Sequence, residues 1–96
     1  MRIDFDAPLL DLKGEPLIEN GVEVTLGAIA SNALLATYRD EQDLTGEEKV
    51  KRFRLAVIAR GAQDLSVEQI VLLKKLIAKA YSPLIVGRVF ELLDPQ

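Results

Sequence analysis

The sequence predicts a small α+β fold, mainly helical, in which an N-terminal strand and β-hairpin pack on an array of about four helices. Three observations support this prediction. Turn-forming residues concentrate in the first 25 positions, apolar residues recur at helical spacing from Leu26 onward, and a Thr or Ser stands before each of the four periodic segments. The chain has 96 residues, enough for one modest core, so a single domain over 1–96 is expected.

Residues 1–25 are predicted to form the strand and the hairpin. Leu9–Leu12 is a short strand candidate, and the segment Lys13–Pro16 after it is a turn signal. Asn20-Gly21 lies between short apolar segments, and both residues tolerate the positive φ angles of a tight hairpin turn. Because an isolated hairpin is only marginally stable in water, we expect this one to pack on the helices.

The apolar spacing predicts helices over 26–38, 46–60, 67–81 and 83–93. Thr45 with Glu48, and Ser66 with Gln69, have the spacing of a capping box, in which each side chain bonds the other residue's backbone N–H. Pro83 stands at the position that proline favours in the first turn of a helix. The fourth helix is apolar over about half its circumference, so we expect it to lie centrally in the core.

The composition excludes most catalytic chemistry. The chain has no Cys and no His, so it forms no disulfide, no thiolate metal site and no nucleophile–histidine pair. The carboxylates Asp4, Asp6 and Asp11 lack the spacing of a calcium loop, and the glycines form no phosphate-binding motif. We therefore predict a protein that is not an enzyme, with no catalytic residue, no metal site and no cofactor.

Charge is divided between the two halves of the chain. Residues 1–48 carry eleven acidic and three basic residues, a balance of −8, whereas residues 49–96 carry four acidic and nine basic residues, a balance of +5. We expect one of two arrangements. The two halves attract each other, within one chain or between two copies, or the basic half presents a charged patch to an acidic partner. The expected partner is therefore a protein, including a second copy in a homo-oligomer, and nucleic acid is a less favoured one.

The first candidate interaction residues are the bases at the start of the second helix, Lys49, Lys51, Arg52 and Arg54. Clustered bases bind phosphate groups in nucleic-acid-binding proteins. At ~100° per residue, however, these bases spread around the helix, and the sequence pI is about 4.9. A solvated helix whose bases pair with acids of the N-terminal half is therefore the favoured interpretation.

Arg54 stands out within this group. Its direction on the helix lies between Val50, Val57 and Ile58, inside the predicted apolar face. A base there either extends its side chain to the solvent or pairs with a carboxylate. If Arg54 pairs with a carboxylate, the more specific hypothesis is that the carboxylate belongs to another subunit across an oligomer interface.

Two further groups complete the candidates for protein contact. Lys75 and Lys79 lie one turn apart on the third helix, either as a solvent-facing stripe or as a docking face for the acidic segment Asp40–Asp43 of another copy. The apolar residues that fall outside the predicted buried faces are Leu35, Val71 and Leu72. Such surplus apolar surface marks a protein–protein contact, unless the N-terminal hairpin covers it.

A resemblance to a known family rests on four segments, Asp11–Pro16, Thr25–Leu35, Leu44–Phe53 and Lys74–Gly87. They resemble a family of small proteins encoded in tailed-bacteriophage and prophage genomes. The resemblance covers nearly the whole chain, and its motifs are structural: a turn, two capping boxes and a helix junction. Because that family has no established activity, the resemblance assigns no functional residue.

The resemblance implies a phage setting and a small non-enzymatic role. We expect a part in virion head or tail assembly, as an assembly chaperone or minor structural component, in the cytoplasm of the bacterial host or in the virion. The alternative is a regulator or inhibitor of host nucleic-acid machinery that contacts its partner through the basic helix, 49–60. We expect no membrane association, because the N-terminus lacks a signal-peptide apolar segment and the longest apolar runs are far shorter than the ~20 residues of a membrane span.

Overall fold

The computed structural model describes residues 1–94 and confirms the α+β, mainly helical class. The helices are α1 (Leu26–Leu35), α2 (Gly46–Val57), α3 (Val67–Ala80) and α4 (Pro83–Leu93). The strands are β1 (Arg2–Asp4), β2 (Ile18–Glu19), β3 (Val22–Glu23) and β4 (Ala62–Asp64). Residues 36–45 between α1 and α2, which include a 3-10 turn at Arg39–Glu41, are called the connector below.

α1 ends at Leu35 and not at the predicted residue 38. The Tyr38 hydroxyl donates to the carbonyl oxygen of Ala33 at 2.7 Å and lies 3.3 Å from that of Leu76. This anchor draws the connector away from the helical path and onto α3. The sequence shows only that Tyr38 could continue the helix, so the early end depends on a tertiary contact.

α1 is the central helix of the fold, with α2 and α3 both packed on it. Its residues Leu26 and Ala30 are completely buried. At Gly27 the backbone of neighbouring segments comes so close that a Cβ atom would lie 2.6 Å from the Ala59 carbonyl oxygen and 3.0 Å from that of Phe5. The absence of a side chain at this position therefore sets how closely the N-terminal segment and the end of α2 approach α1.

β1 and β4 form an antiparallel pair that was not predicted from the sequence. Ile3 lies opposite Gln63, and beside the pair the Phe5 N–H donates to the Gly61 carbonyl oxygen at 2.8 Å. The pairing turns the chain back soon after Val57, so α2 ends before the predicted residue 60. Each of these strands has three residues, and they lie far apart in the sequence. Such short segments show too little alternation to be recognised from the sequence.

The β2–β3 hairpin is confirmed. Its cross-strand pairs are Ile18 with Glu23 and Glu19 with Val22. Asn20 and Gly21 have φ angles of 53° and 79°, the left-handed conformation that the two-residue turn requires.

The predicted strand at Leu9–Leu12 is wrong. The Asp11 carboxylate accepts hydrogen bonds from the backbone N–H groups of Lys13 and Glu15 at 2.8 and 3.0 Å, which curls this segment into a turn. Leu10 forms an isolated bridge with Pro16 in place of a ladder.

One of the two predicted capping boxes is complete. Ser66 accepts a hydrogen bond from the Gln69 backbone N–H, and the Gln69 side chain accepts one from the Ser66 backbone N–H. Thr45 likewise caps α2 by accepting from the Glu48 N–H at 3.2 Å. The Glu48 carboxylate, however, lies 3.5 Å from the Lys51 ammonium, where an exposed ion pair replaces the return bond of the box.

α4 has the predicted bounds and begins with its first-turn proline, but it is peripheral and not central as expected. Val89 and Leu93 are its fully buried residues, and it packs on α3. Arg88 donates to the carbonyl oxygens of Leu10 and Asp11 at 3.1 and 2.6 Å, so another side of α4 holds the N-terminal loop. In the part of the chain that the structure describes, no helix combines the length and apolarity needed to cross a membrane.

Candidate protein-binding surface

Glu41 and Arg52 form a bidentate ion pair between the connector and α2. The Arg52 side chain is 6% exposed and donates to the two Glu41 carboxylate oxygens at 2.8 and 2.7 Å. Arg52 lies on the same side of α2 as the buried Leu55 and Ala56. Arg54 is exposed, in agreement with the alternative in which its side chain extends to the solvent, and the buried base of α2 is Arg52, which the sequence did not single out.

Lys75 and Lys79 also face the connector of their own chain. The Lys79 ammonium lies 2.8 Å from Asp40 and 3.8 Å from Glu41, and the Lys75 ammonium lies 4.0 Å from Glu41. Lys75 and Lys79 are therefore neither a free solvent-facing stripe nor a docking face for another copy, because the acidic segment of the same chain docks on them in cis. We call these five residues, Asp40, Glu41, Arg52, Lys75 and Lys79, the connector cluster.

The electrostatics of the connector cluster favour its charged form. The hydrogen bonds from Arg52 are the main cause that lowers the pKa of Glu41 from 4.5 to about 2. The hydrogen bond between Lys79 and Asp40 lowers the pKa of Asp40 and raises that of Lys79. The pKa of Tyr38 is raised chiefly by burial, and its ring lies 5.4 Å from the Lys79 ammonium. Asp40, Glu41, Arg52 and Lys79 are therefore charged at neutral pH, and their ion pairs hold the connector against α2 and α3.

A cavity of about 500 Å³ lies beside this cluster, between the connector and α2. Leu35 and Lys49, two of the predicted interaction residues, line it together with Tyr38. The guanidinium of Arg52 also lines it, but Glu41 already neutralises that charge at close range. Arg39 and Lys49 also line the cavity and form no ion pair within residues 1–94. The Glu41–Arg52 pair is closed on itself, and we assign the connector cluster a structural role.

The opposite side of α2 carries an exposed apolar stripe. Val50, Phe53 and Val57 recur at intervals of three and four residues, so they share one side of the helix. All three are exposed, Phe53 to 58%. The sequence predicted that Val50 and Val57, with Ile58, belong to a buried apolar face of this helix, and this prediction was wrong. Periodicity shows that residues share a side of a helix, but it does not show what covers that side. We call Val50, Phe53 and Val57 the α2 stripe.

A groove of about 710 Å³ runs between α2 and α3 next to the α2 stripe. Leu55, Ile58 and Leu72 supply its apolar surface. Lys51, Arg54 and Glu48 line its α2 side and Glu68 lines its α3 side, so both signs of charge border the groove. Arg54 forms no ion pair within residues 1–94. The groove exists because both helices pack chiefly on α1 and not on each other.

The N-terminal hairpin does not cover the surplus apolar residues, so that alternative is wrong. Leu35 and Val71 are exposed to 61% and 59%, and Leu72 is half-buried in the α2–α3 groove. The predicted interaction residues therefore divide between two regions. Lys51, Arg54 and Leu72 meet at the groove, whereas Lys49, Arg52 and Leu35 border the connector cavity on the other side of α2.

The hairpin exposes two further apolar side chains, one on each of its faces, and this was not predicted. Ile18 and Val22 are exposed to 59% and 68%. Each cross-strand pair joins one of them to an acid, Ile18 to Glu23 and Val22 to Glu19. A signal was present in the sequence, because apolar and acidic residues alternate on both sides of the turn, but the apolar members were taken to pack inward.

No protein-family model, curated protein or solved structure matches the chain. Within residues 1–94, no group of three or more acidic side chains is placed to hold a metal ion. The fold and surface define a small, mainly helical α+β domain with a charge-locked connector. Its exposed features are an apolar helix stripe, an adjoining groove lined by charges of both signs, and an acidic hairpin.

Proposed function

We propose that this chain is a non-enzymatic protein-binding module whose contact surface is the α2 stripe with the adjoining α2–α3 groove. The observation that carries the proposal is the exposure of Phe53 between Val50 and Val57 on one side of a helix. An aromatic side chain flanked by two β-branched ones on a helix surface is a pattern of helix-mediated recognition. The ion pair of Arg52 on the other side of α2 holds that helix in place.

The setting of this contact is proposed to be virion assembly in a bacteriophage or prophage, as an assembly chaperone or minor structural component. The resemblance of four segments to small phage-encoded proteins supports the setting. The exposed apolar surface supports the mode of action, because both roles require binding to other proteins and no catalysis.

The alternative, a regulator of host nucleic-acid machinery that uses helix 49–60, gains less support. Arg52 is neutralised by Glu41 and withdrawn from the surface. Lys49 and Arg54 lie about 140° apart around α2 at ~100° per residue, so the remaining bases do not form one phosphate-binding stripe.

A site-specific photo-crosslinking experiment tests the proposal. A benzophenone amino acid replaces Phe53 in one variant and the exposed Ala28 of α1 in the control, during phage production in the bacterial host. We expect adducts at position 53 with an identified head or tail protein, and few at position 28. Adding Val57→Asp should remove them, because an aspartate places charge on the apolar contact.

Three outcomes contradict the proposal. Equal adducts at positions 53 and 28 show that the α2 stripe is not a preferred contact. Adducts with host polymerase or nuclease subunits, or with nucleic acid, favour the regulatory alternative. An absence of any adduct at position 53 excludes the stripe as a contact surface.

A further inference from the structure

We infer that the α2 stripe binds the acidic hairpin of a second copy of this chain, so that copies join head to tail. The inference deepens the proposed function and rests on it, since it names the occupant of the same surface. It begins from the presence of two exposed apolar surfaces in one small chain, on α2 and on the hairpin.

The two surfaces have complementary chemistry. The hairpin segment 15–23 contains Glu15, Glu19 and Glu23 and no base, and none of these acids forms an ion pair in the described part of the chain. The α2 stripe is bordered by Arg54, which also has no acidic partner within residues 1–94, and by Lys51, whose pair with Glu48 is exposed. Opposite charges without close partners beside apolar side chains are the arrangement that steers two surfaces together.

The side-chain pattern of the hairpin matches this arrangement. Because Ile18 is paired with Glu23 and Val22 with Glu19, each face of the hairpin presents one apolar and one acidic side chain. The α2 surface alternates in the same way, with Phe53 and Val57 beside Arg54. The apolar Ile58 and Leu72 line the adjoining α2–α3 groove, on the far side of Arg54 from Phe53.

The proposed contact joins two different elements that both remain exposed in a single chain, and we propose a heterologous arrangement in which each is used by a different neighbour. Each copy would bind one neighbour through α2 and another through its hairpin. Such contacts build a ring if the rotation between copies closes, and an open filament if it does not. Either form is consistent with a component of a repeating assembly.

The contact should be modest in strength and sensitive to salt. A stable interface typically buries about 800 Å² on each partner, and a hairpin with four strand residues presents less than that. The charges are exposed, so salt screens their attraction. We therefore expect association that grows with protein concentration and weakens by about tenfold or more between low and high salt.

Two one-sided variants test the inference. One replaces Glu19→Lys and Glu23→Lys and keeps the α2 stripe, whereas the other replaces Phe53→Ser and Arg54→Gln and keeps the hairpin, so that the two altered surfaces do not attract each other. Sedimentation velocity should find each variant monomeric alone. Mixed in equal amounts at low salt, the two should form a heterodimer that grows no further, because each supplies the surface that the other lacks.

Controls separate the contact from folding and from net charge. The substituted residues are exposed, so circular dichroism and the thermal midpoint should stay close to those of the unmodified chain. If either variant is unfolded, Glu19→Gln with Glu23→Gln, or Phe53→Ser alone, replaces it. Asp43→Lys reverses an exposed acid of the connector, and self-association should survive that change.

The inference is overturned if the unmodified chain stays monomeric at high concentration and low salt. It is also overturned if either one-sided variant still self-associates, which indicates a symmetric contact, or if the mixture yields no heterodimer. A monomer whose position 53 crosslinks to a different virion protein removes the second copy as the partner and leaves the binding module standing.

Discussion

Replacing Glu41 with Gln is expected to destabilise the fold by about 2–3 kcal/mol at neutral pH, below the ~3–5 kcal/mol typical of breaking a fully buried pair. The change leaves the Arg52 side chain, 6% exposed, without its bidentate partner. Lys75 and Lys79 would also lose the Glu41 carboxylate that now lies between them and Arg52, so three positive charges would face one another around a neutral amide. The side chain of Glu41 is itself 12% exposed, so water reaches the edge of this site and moderates the cost.

The pKa of Glu41 gives an independent magnitude. It lies at about 2 in the folded protein against an ordinary value of 4.5. At 1.36 kcal/mol per pKa unit this difference corresponds to about 3 kcal/mol, which solvent screening reduces to about 1–2 kcal/mol. The remainder of the expected cost comes from the desolvated guanidinium of Arg52, which glutamine pairs less well.

The effect of Glu41→Gln should depend on pH in a fixed direction. Because the folded-state pKa is lowered, the unfolded chain takes up the proton first as the pH falls. The contribution of Glu41 is therefore fully present above about pH 4.5 and is lost as the pH falls towards about 2. The difference in stability between the unmodified protein and the variant should shrink over that interval.

Urea denaturation followed by far-ultraviolet circular dichroism measures this difference at neutral pH and at steps through the acid range. Glu91→Gln is the matched control, because it removes an exposed pair with Arg88 at 3.2 Å and should cost less than about 1 kcal/mol. Substituting Glu41→Leu and Arg52→Met together should recover most of the lost stability, since no buried charge is then left unpaired. The reasoning fails if Glu41→Gln costs no more than Glu91→Gln, or if its cost is the same in acid as at neutral pH.

Three further predictions concern the fold. Gly27→Ala should cost about 1–3 kcal/mol in urea denaturation because its Cβ would meet backbone oxygens, whereas Gly87→Ala on the open side of α4 should stabilise by about 0.5–1 kcal/mol; equal effects would contradict the close approach at Gly27. Ser66→Ala should lower stability by about 1 kcal/mol through loss of the capping box, and Ser82→Ala should cost less because the Ser82 side chain makes no capping bond. In a spectrophotometric titration, Tyr38→Phe should remove the part of the curve that lies above pH 10.0, and a curve that loses amplitude without any change of midpoint would show that burial does not raise the Tyr38 pKa.

Local signals account for the parts of the fold that were predicted correctly. The N-caps Thr45 and Ser66, the Asn20-Gly21 turn and the bounds of α4 each depend on residues within about four positions of one another. Hydrogen bonds over such distances form in much the same way whatever surrounds them. These elements could therefore be read from the sequence before any packing was known.

The candidate surface was predicted only in part. The basic start of α2 and the exposure of Leu35 and Val71 followed from the sequence, because charge and surplus apolar residues are visible there. The identity of the buried base did not follow. Arg52 and Arg54 are two residues apart on one helix, and only the position of Glu41 in the folded connector decides which of them is enclosed.

The sequence by itself determined the class of fold, the local signals that start and end most elements, and the lack of histidine and cysteine chemistry. The tertiary structure alone decided which apolar side of α2 is covered. A helix with apolar residues on more than one side can bury only those that meet a neighbour, and the neighbours are set by contacts distant in sequence, such as β1 with β4. In this protein α1 covers the Leu55 side of α2 and leaves the Phe53 side in solvent, where we propose that a partner binds.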